Sequence, residues 1–289
     1  MSTEALQKKA MLAWLRIKCW GGTKKDLRIA EAAQERFGTS KEMVRATKSI
    51  VDRQHLMPIQ KIRNLARAKH AFYTLPHPVK GMGILPVKVH RTYDEQMYQL
   101  KQEYNKAVEE FIGDYDQWYY EAANRLADLF SHEDYPPPYE LRMAFVFEYG
   151  YQPIPAPNHF IAEIEKEEQE KVRRELQIEN RRQIHEGQKT LWRRLLTDVL
   201  HMAERLSNPE NIFRDSLIAN IQRITELIPD MMLEADQQLI ELSHKAQEVL
   251  TTHDPEILRN DLNARIEKGQ QAQQLAEEIE GKMRTMNFF

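Results

Sequence analysis

Cysteine and glycine are scarce in this chain, and both scarcities exclude functions. Cys19 is the only cysteine among 289 residues, so an internal disulfide framework and a cysteine-based zinc fold are excluded. The ten glycines form neither of the loops that cradle phosphate groups, Gly-x-x-x-x-Gly-Lys-Ser/Thr and Gly-x-Gly-x-x-Gly. The Gly-x-Ser-x-Gly elbow and the His-Glu-x-x-His zinc helix are missing too. The sequence therefore argues against a P-loop ATPase, a Rossmann dehydrogenase, an esterase and a zinc protease.

Long apolar runs are also missing. The apolar run over residues 10–15 ends at Arg16 and Lys18, which makes it shorter than the apolar region of about 7–15 residues in a secretory signal. No stretch approaches the ~18 apolar residues of a membrane span. We therefore expect a cytoplasmic protein without a membrane partner.

The net charge of −3 hides a strong asymmetry along the chain. Residues 1–91 carry 19 Lys and Arg against 6 Asp and Glu, whereas residues 92–289 carry 22 against 38. Two interpretations stay open at this point. The basic segment faces an acidic external partner such as nucleic acid, or it packs against the acidic part of the same chain.

Residues 1–157 form the first predicted domain, a basic-to-mixed α+β head. Leu15, Ile17 and Cys19 alternate with charged residues, as in a half-buried strand, and residues 143–149 are aromatic and β-branched. The predicted elements are helices over 4–13, 25–37, 41–51, 58–72 and 93–130, strands over 14–20 and 143–149, and a loop over 81–86. The last helix is expected to bend near Gly113.

Residues 158–289 form the second predicted domain, an elongated helical bundle or coiled coil. Residues 159–206 lack proline and are predicted to form one helix about 70 Å long. Proline after a capping side chain, in Asn208-Pro209-Glu210 and Asp254-Pro255-Glu256, predicts two helix starts. The expected helices are 209–228, 230–251 and 255–284, with a break at Pro229. The predicted fold class is mainly α, with a small α+β N-terminal head and a long coiled-coil-like helical array at the C-terminus.

The basic head supplies the candidate binding residues. Clusters of Lys and Arg that nearby acids do not cancel are typical of phosphate contacts, and they suit any other acidic partner equally. The candidates lie beside the helix start at 25 and along the helix over 58–72: Lys24, Lys25, Arg28, Lys61, Arg63, Arg67 and Lys69.

Three other features are weaker candidates. Glu241 and His244 have the Glu-x-x-His spacing of helical di-iron sites, and Asp198 with His201 is an approximate second pair; solvated side chains explain both pairs more simply, and no metal or cofactor is predicted. Cys19 is expected to be a buried, inert thiol. The aromatic cluster Tyr115, Trp118, Tyr119 and Tyr120 is more typical of a core or an interface than of a base-stacking platform.

Several segments resemble an uncharacterised protein family carried by phages and integrative mobile elements. The matching segments are Leu15–Gly22, Pro58-Ile59 with Ala66-Arg67, Thr74-Leu75-Pro76, Gly83–Pro86, Gln152–Pro155 and Met202–Leu206. The chain departs from the family at His77, where a tryptophan is expected. Genes of this family lie near those of MoxR-type AAA+ ATPases and of chelatase-like proteins with a von Willebrand A domain. The resemblance implies a helical adaptor of an ATPase-driven remodelling system in the bacterial cytoplasm.

These observations lead to three functional hypotheses. The first is a non-enzymatic, homo-oligomeric interaction protein of a phage or mobile element that acts on a protein complex such as an AAA+ ATPase system. The second is an inhibitor of a host defence complex or nuclease, or a nucleic-acid-binding protein that uses the basic head. The third, a helical di-metal enzyme, has the least support.

Overall fold

The structure is a computed structural model that describes residues 3–40, 42–155, 165–208 and 210–288. The fold is mainly α with a small sheet and a C-terminal helical array, which confirms the predicted fold class. The α-helices are α1 (Thr3–Lys9), α2 (Leu27–Phe37), α3 (Arg53–Tyr73), α4 (His90–Gly113), α5 (Tyr115–Leu126), α6 (Pro138–Met143), α7 (Lys166–Ser207), α8 (Ser216–Met231), α9 (Gln237–Leu250), α10 (Pro255–Asn260) and α11 (Leu262–Thr285). The strands are β1 (Ala10–Lys18), β2 (Thr23–Lys25), β3 (Thr47–Ser49), β4 (Leu75–Pro76), β5 (Met82–Pro86) and β6 (Val146–Gln152).

Two sheets are present among the described residues. The larger has the strand order β4-β5-β1-β6, and β4 and β5 pair antiparallel with Leu75 opposite Ile84. The smaller consists of β2 and β3. Three short 3₁₀ helices, at Val87–Val89, Ala127–Leu129 and His132–Asp134, complete the regular structure.

The contacts within the chain divide it into two compact units. The array unit comprises Met1–Ala13, Ala71–Thr92 and Tyr151–Phe289, and the head unit comprises Trp14–His70 and Tyr93–Gly150. The units are interleaved along the chain, whereas the sequence predicts two consecutive domains. The predicted boundary between residues 157 and 158 lies outside the described residues.

Helix α7 is the central helix of the array unit. None of its residues from Lys166 to Glu179 is buried, and its buried residues begin at Asn180. Helix α11 packs along the buried part of α7. At Gly269 the two helices approach so closely that an added Cβ would lie 3.2 Å from the carbonyl carbon of Leu206.

A buried arginine donates hydrogen bonds to carbonyl groups at the C-terminal end of α7. Arg265 is 7% exposed, and its guanidinium donates to the carbonyl oxygens of Arg205, Asn208 and Asn211 at 3.0, 2.7 and 2.6 Å. The last carbonyls of a helix have no partner within the helix. A cation at this end also interacts favourably with the helix dipole, so Arg265 ties α11 to the end of α7.

Two other helices of the structure end in the same way. Arg194 of α7 donates to the carbonyl oxygens of Ala71, Phe72 and Thr74 at the end of α3. Lys268 of α11 donates to the carbonyl oxygen of Val249 at the end of α9. Basic side chains from other helices therefore donate hydrogen bonds to carbonyl groups at the ends of three helices.

Helix α8 continues through Pro229, so the predicted break at this proline is wrong. Proline removes the amide that would bond the carbonyl four residues earlier. That carbonyl belongs to Thr225, and it accepts a hydrogen bond from the hydroxyl of Ser243 on α9 at 3.3 Å. The neighbouring helix supplies the donor that the proline removes.

The head unit has its own core, formed along α4. The predicted helix over 93–130 is present as α4 and α5, and its division beside Gly113 confirms the expected bend. His70 of α3 and the hydroxyl of Tyr93 lie 2.8 Å apart in this core. Burial lowers the pKa of His70 to about 4.

Two predictions for the head are wrong. The helix predicted over 41–51 is absent: residues 42–46 are irregular, 47–49 form β3, and Lys41 lies outside the described residues. Pairing with β2 outweighs the local helical spacing. The loop predicted over 81–86 contains β5, where Gly83 lies so close to Thr74 that a Cβ would meet its side chain at 2.4 Å.

Some of the predicted helix starts and strand limits differ from those in the structure. Asp254 caps α10 as predicted, since its carboxylate accepts from the amide of Glu256 at 2.8 Å. The helix predicted from 209 instead begins at Ser216, and Pro209 and residues 159–164 lie outside the described residues. Strand β1 begins at Ala10, four residues before its predicted start, and ends at Lys18.

Candidate functional site on the β2–β3 ribbon and helix α2

The N-terminal cations lie on a short ribbon followed by a capped helix. In the antiparallel register of β2 and β3, Lys24 lies opposite Lys48 and Lys25 lies opposite Thr47. Asp26 then caps α2, because its carboxylate accepts from the amide of Arg28 at 3.0 Å. The sequence thus places Lys24 and Lys25 directly before the first turn of α2.

Lys48 holds the ribbon through buried charges. Its ammonium lies 3.0 Å from the carboxylate of Asp26 and 2.6 Å from that of Asp134, and its side chain is 5% exposed. Burial opposes the charge of Lys48, but the hydrogen bonds to Asp134 and Asp26 outweigh burial, so the pKa of Lys48 lies above its ordinary value. Lys48 is therefore a structural cation that the candidate residues from the sequence did not include.

Arg28 is also engaged within the head unit. Its guanidinium lies 2.8 Å from the carboxylate of Asp26 and donates to the carbonyl oxygens of Asp128 and Leu129, both at 2.9 Å. The hydrogen bond from Arg28 holds the pKa of Asp26 far below its usual range. Arg28 joins the start of α2 to the turn after α5, which leaves it little capacity for an external ligand.

The charge asymmetry of the sequence cancels inside the head unit. Its segment 14–70 carries 14 Lys and Arg against 5 Asp and Glu, and its segment 93–150 carries 4 against 13. Ion pairs join the two segments at Lys48–Asp134 and at Asp52–Arg125, where the Arg125 hydrogen bond lowers the pKa of Asp52. The interpretation in which basic residues meet the chain's own acids therefore applies to part of this unit.

The four candidate cations of α3 do not share one face. At about 100° per residue, Arg63 and Arg67 lie about 120–160° around the helix from Lys61. Arg67 donates to the carbonyl oxygen of Ile17 at 3.3 Å, Lys69 is half-buried, and Lys61 is exposed. The candidate cations of α3 therefore do not form the single cationic surface that the sequence indicates along this helix.

Helix α2 exposes the two ends of its apolar face, while Ala30 and Ala33 between them are half-buried. None of its residues is buried, and Leu27 and Phe37 at its two ends are 75% and 74% exposed. Met43, in the segment that returns to β3, is 80% exposed. Leu27 and Phe37 lie ten residues apart, about 15 Å along the helix axis, so a partner that covers both must extend along α2.

Three exposed cations lie near the start of α2, and because successive residues of a strand point to opposite faces, Lys24 and Lys25 project from opposite sides of the ribbon. In the described part of the chain, Lys24, Lys25 and Arg45 are exposed and form no ion pair with an acidic side chain. The amide of Asp26 bonds the carbonyl oxygen of Ala46 at 3.2 Å, which places Arg45 beside the start of α2. We call Lys24, Lys25, Leu27, Phe37, Met43 and Arg45 together the β2–α2 surface.

The sequence by itself indicates only part of the β2–α2 surface. Lys24 and Lys25 were candidates, whereas Met43 and Arg45 fall in the helix wrongly predicted over 41–51. The apolar spacing of Leu27 and Phe37 was visible in the sequence. Their exposure was not, because periodicity indicates an apolar face without indicating what covers it.

The Glu-x-x-His pair lies on the outside of its helix. Glu241 and His244 are exposed on α9, and Glu241 accepts a hydrogen bond from Gln237 at 3.2 Å. Burial raises the pKa of Asp198, and His201 is exposed on α7. Over the described ranges, no group of three or more His, Cys, Asp and Glu side chains is arranged to hold a metal ion.

The other candidates lie in the head unit. Cys19 is half-buried and not fully buried, and its sulfur lies 3.6 Å from the Tyr104 hydroxyl. Tyr115 is buried, and Trp118 stacks on His55 with ring centroids 3.6 Å apart. Tyr120 is 66% exposed. The predicted aromatic cluster therefore contributes mainly to packing.

The comparisons with known proteins supply no family for this chain. Searches of protein-family models, curated proteins and solved structures find no match. Among the described helices, none combines the length and the apolar character that crossing a bilayer requires.

Proposed function

We propose that this chain is an interaction protein that binds an acidic, amphipathic segment of a partner protein on the β2–α2 surface. The observation that carries the proposal is the amphipathic helix α2, which buries none of its residues. Leaving Leu27 and Phe37 in water gains nothing for the fold. A partner with apolar side chains would remove them from water.

The flanking cations define the charge of that partner. Lys24, Lys25 and Arg45 lie near the start of α2 without an ion pair among the described residues. A segment with Asp or Glu next to its apolar residues complements them. Such charges also accelerate association and favour the correct orientation.

Nucleic acid is the second candidate partner, and the unpaired cations favour it. It accounts for less of the surface, because a phosphate backbone would leave Leu27, Phe37 and Met43 exposed. Two of the candidate cations, Arg28 and Arg67, also already donate to backbone carbonyl oxygens. We therefore place a protein partner first.

The resemblance to mobile-element proteins suggests two kinds of partner. An AAA+ ATPase would make the chain an adaptor, and a host defence complex or nuclease would make it an inhibitor. Both roles need a binding surface and no catalytic group. Homo-oligomerisation stays a prediction that size-exclusion chromatography with light scattering checks.

Site-specific photo-crosslinking in the host tests the proposal. A photoreactive residue at Phe37 should capture a protein that the same residue at Tyr139, 64% exposed in the head unit, does not capture. Burying the exposed part of Phe37 removes about 150 Å² of apolar surface, or ~4 kcal/mol before ordering costs. We therefore expect Phe37→Ser to weaken binding of the purified partner about 30-fold, the equivalent of ~2 kcal/mol.

Charge variants separate the two candidate partners. The double variant Lys24→Glu with Lys25→Glu should weaken binding, with a loss that shrinks at high salt, whereas Lys61→Glu on α3 should have no effect. Equal capture at Phe37 and Tyr139 would refute the β2–α2 surface as the binding site. Capture of nucleic acid, with sensitivity to Lys61→Glu, would favour the second candidate instead.

A further inference from the structure

The array unit contains a cleft that the proposed function does not use. Its volume is about 480 Å³, and it lies at the end of α1, the 3₁₀ helix Val87–Val89, the end of α8 and the start of α9. Its apolar lining consists of Pro86, Val87, Pro229, Met232 and Ile240, with Ala235 beside them. Volumes of about 300–1,000 Å³ with mostly apolar walls are typical of small-molecule sites.

The charged groups of this cleft are mainly cations. Lys8, Lys9 and Lys88 line it together with a single carboxylate, that of Asp230. Lys9 is held in position, because its ammonium donates to the carbonyl oxygen of Leu233 at 2.9 Å. Lys88 lies 3.3 Å from Asp230, and both side chains are more than half exposed. The described lining residues thus carry two more positive than negative charges.

The proline of α8 helps to shape this cleft. Pro229 has no amide to donate, and it is one of the apolar residues that line the cleft. The carbonyl that it leaves free is satisfied by Ser243 on α9. The helix therefore presents an apolar ring here without an unsatisfied backbone group.

We propose that this cleft binds a single-chain anionic amphiphile, an alkyl chain that ends in a carboxylate or a phosphate. The apolar walls would take the alkyl chain, and the ammonium groups of Lys8 and Lys88 would take the anionic head group. Among the described lining residues there is no aromatic ring for stacking and no hydroxyl or amide side chain. A nucleotide or a sugar would find none of these groups in the lining, whereas an amphiphile needs none of them.

Calorimetric titration of the full chain tests this proposal with three probes: decanoate, decyl phosphate and decanol, all below their micelle-forming concentrations. We expect saturable binding of the two anions and much weaker binding of decanol. Lengthening the carboxylate should tighten binding about fourfold per methylene until the cleft is full, the equivalent of about 0.8 kcal/mol for each buried CH₂.

Variants of the lining residues test whether the ligand binds in this cleft. Val87 is 45% exposed, so Val87→Glu should leave the fold intact and reduce decanoate affinity at least tenfold. Lys8→Glu with Lys88→Glu should abolish the preference for decanoate over decanol. The matched control is Lys80→Glu, an exposed lysine of the array unit outside the lining, which should bind as the unchanged chain does.

Three results would overturn the proposal. They are decanol binding as tight as decanoate binding, decanoate affinity that Val87→Glu leaves unchanged, and binding to anionic lipid vesicles without binding of the free amphiphiles. The last result would assign the cations to a membrane surface instead of a cleft ligand. Loss of partner capture at Phe37 would leave these measurements unaffected, so the two proposals fail separately.

Discussion

Replacing Arg265 tests whether a single buried side chain holds the end of α7 to α11. Its guanidinium donates to three carbonyl oxygens at 2.6–3.0 Å and lies over the ring of Phe213, with its central carbon 5.3 Å from the ring centroid. Arg265→Met keeps a long unbranched stem but removes every donor. The carbonyls at the end of α7 would then lose the cation that satisfies them.

The expected loss is about 3 kcal/mol of unfolding free energy for the array unit. A hydrogen bond to a charged group contributes ~1.5–3 kcal/mol, and three bonds from one guanidinium are not additive. Removing the guanidinium leaves its carbonyl acceptors without this donor, which costs about 1–3 kcal/mol for each buried group, and the flexible Met side chain recovers part of the packing.

Arg259 is the matched control. It lies over the same Phe213 ring at 5.2 Å and pairs with Asp215, but its side chain is 39% exposed. Exposed ion pairs contribute at most about 1 kcal/mol. Arg259→Met should therefore cost no more than about 1 kcal/mol.

Native-state hydrogen exchange is the appropriate assay, because it reports the opening of individual helices, whereas a single melting curve averages over the whole chain. We expect Arg265→Met to speed exchange of the slowest amides of α7 about 100-fold, the equivalent of ~3 kcal/mol. An acceleration below tenfold, or an equal effect of Arg259→Met, would refute the role assigned to Arg265.

Two further predictions concern the two cores. Burial lowers the pKa of His70 to about 4, so between pH 6.5 and pH 4 the unfolded chain binds the proton more tightly than the folded chain does. The head unit should therefore lose about 3 kcal/mol of stability as the pH falls through this range. His70→Asn should make acid unfolding less steep, and an unchanged pH profile would contradict this. In the array unit, Gly269→Ala should cost about 1–3 kcal/mol because the new methyl group would crowd Leu206. Gly281→Ala, where nothing lies within 4 Å of the new Cβ, should instead stabilise α11 by about 0.5–1 kcal/mol. Equal effects of the two substitutions on the hydrogen exchange of α11 would exclude the close approach of α7 and α11.

The distribution of charge is a feature that the sequence shows only in part. The sequence shows a basic segment and an acidic segment and leaves their relation open. In the head unit, Lys48 meets Asp134 and Arg125 meets Asp52, which assigns part of the positive charge to the fold. Lys24 and Lys25 on β2 form no ion pair with a described acid, and the proposed partner would supply their counter-charge.

Local chemistry determined the features that the sequence predicted well. Asp254 and its proline start a helix, α2 ends at Phe37 as predicted, with Gly38 after it at a φ of 63°, and the mainly α fold class follows from apolar spacing. These features depend on contacts within a few residues, which a linear pattern records directly.

Only the tertiary structure decided the rest. Pairing with β2 turned a predicted helix into β3, and Ser243 allowed α8 to continue through Pro229. The exposure of Leu27 and Phe37 likewise depends on whether another element covers α2. In each case the deciding group lies far away in the sequence, so its energetic contribution exists only once the chain has folded.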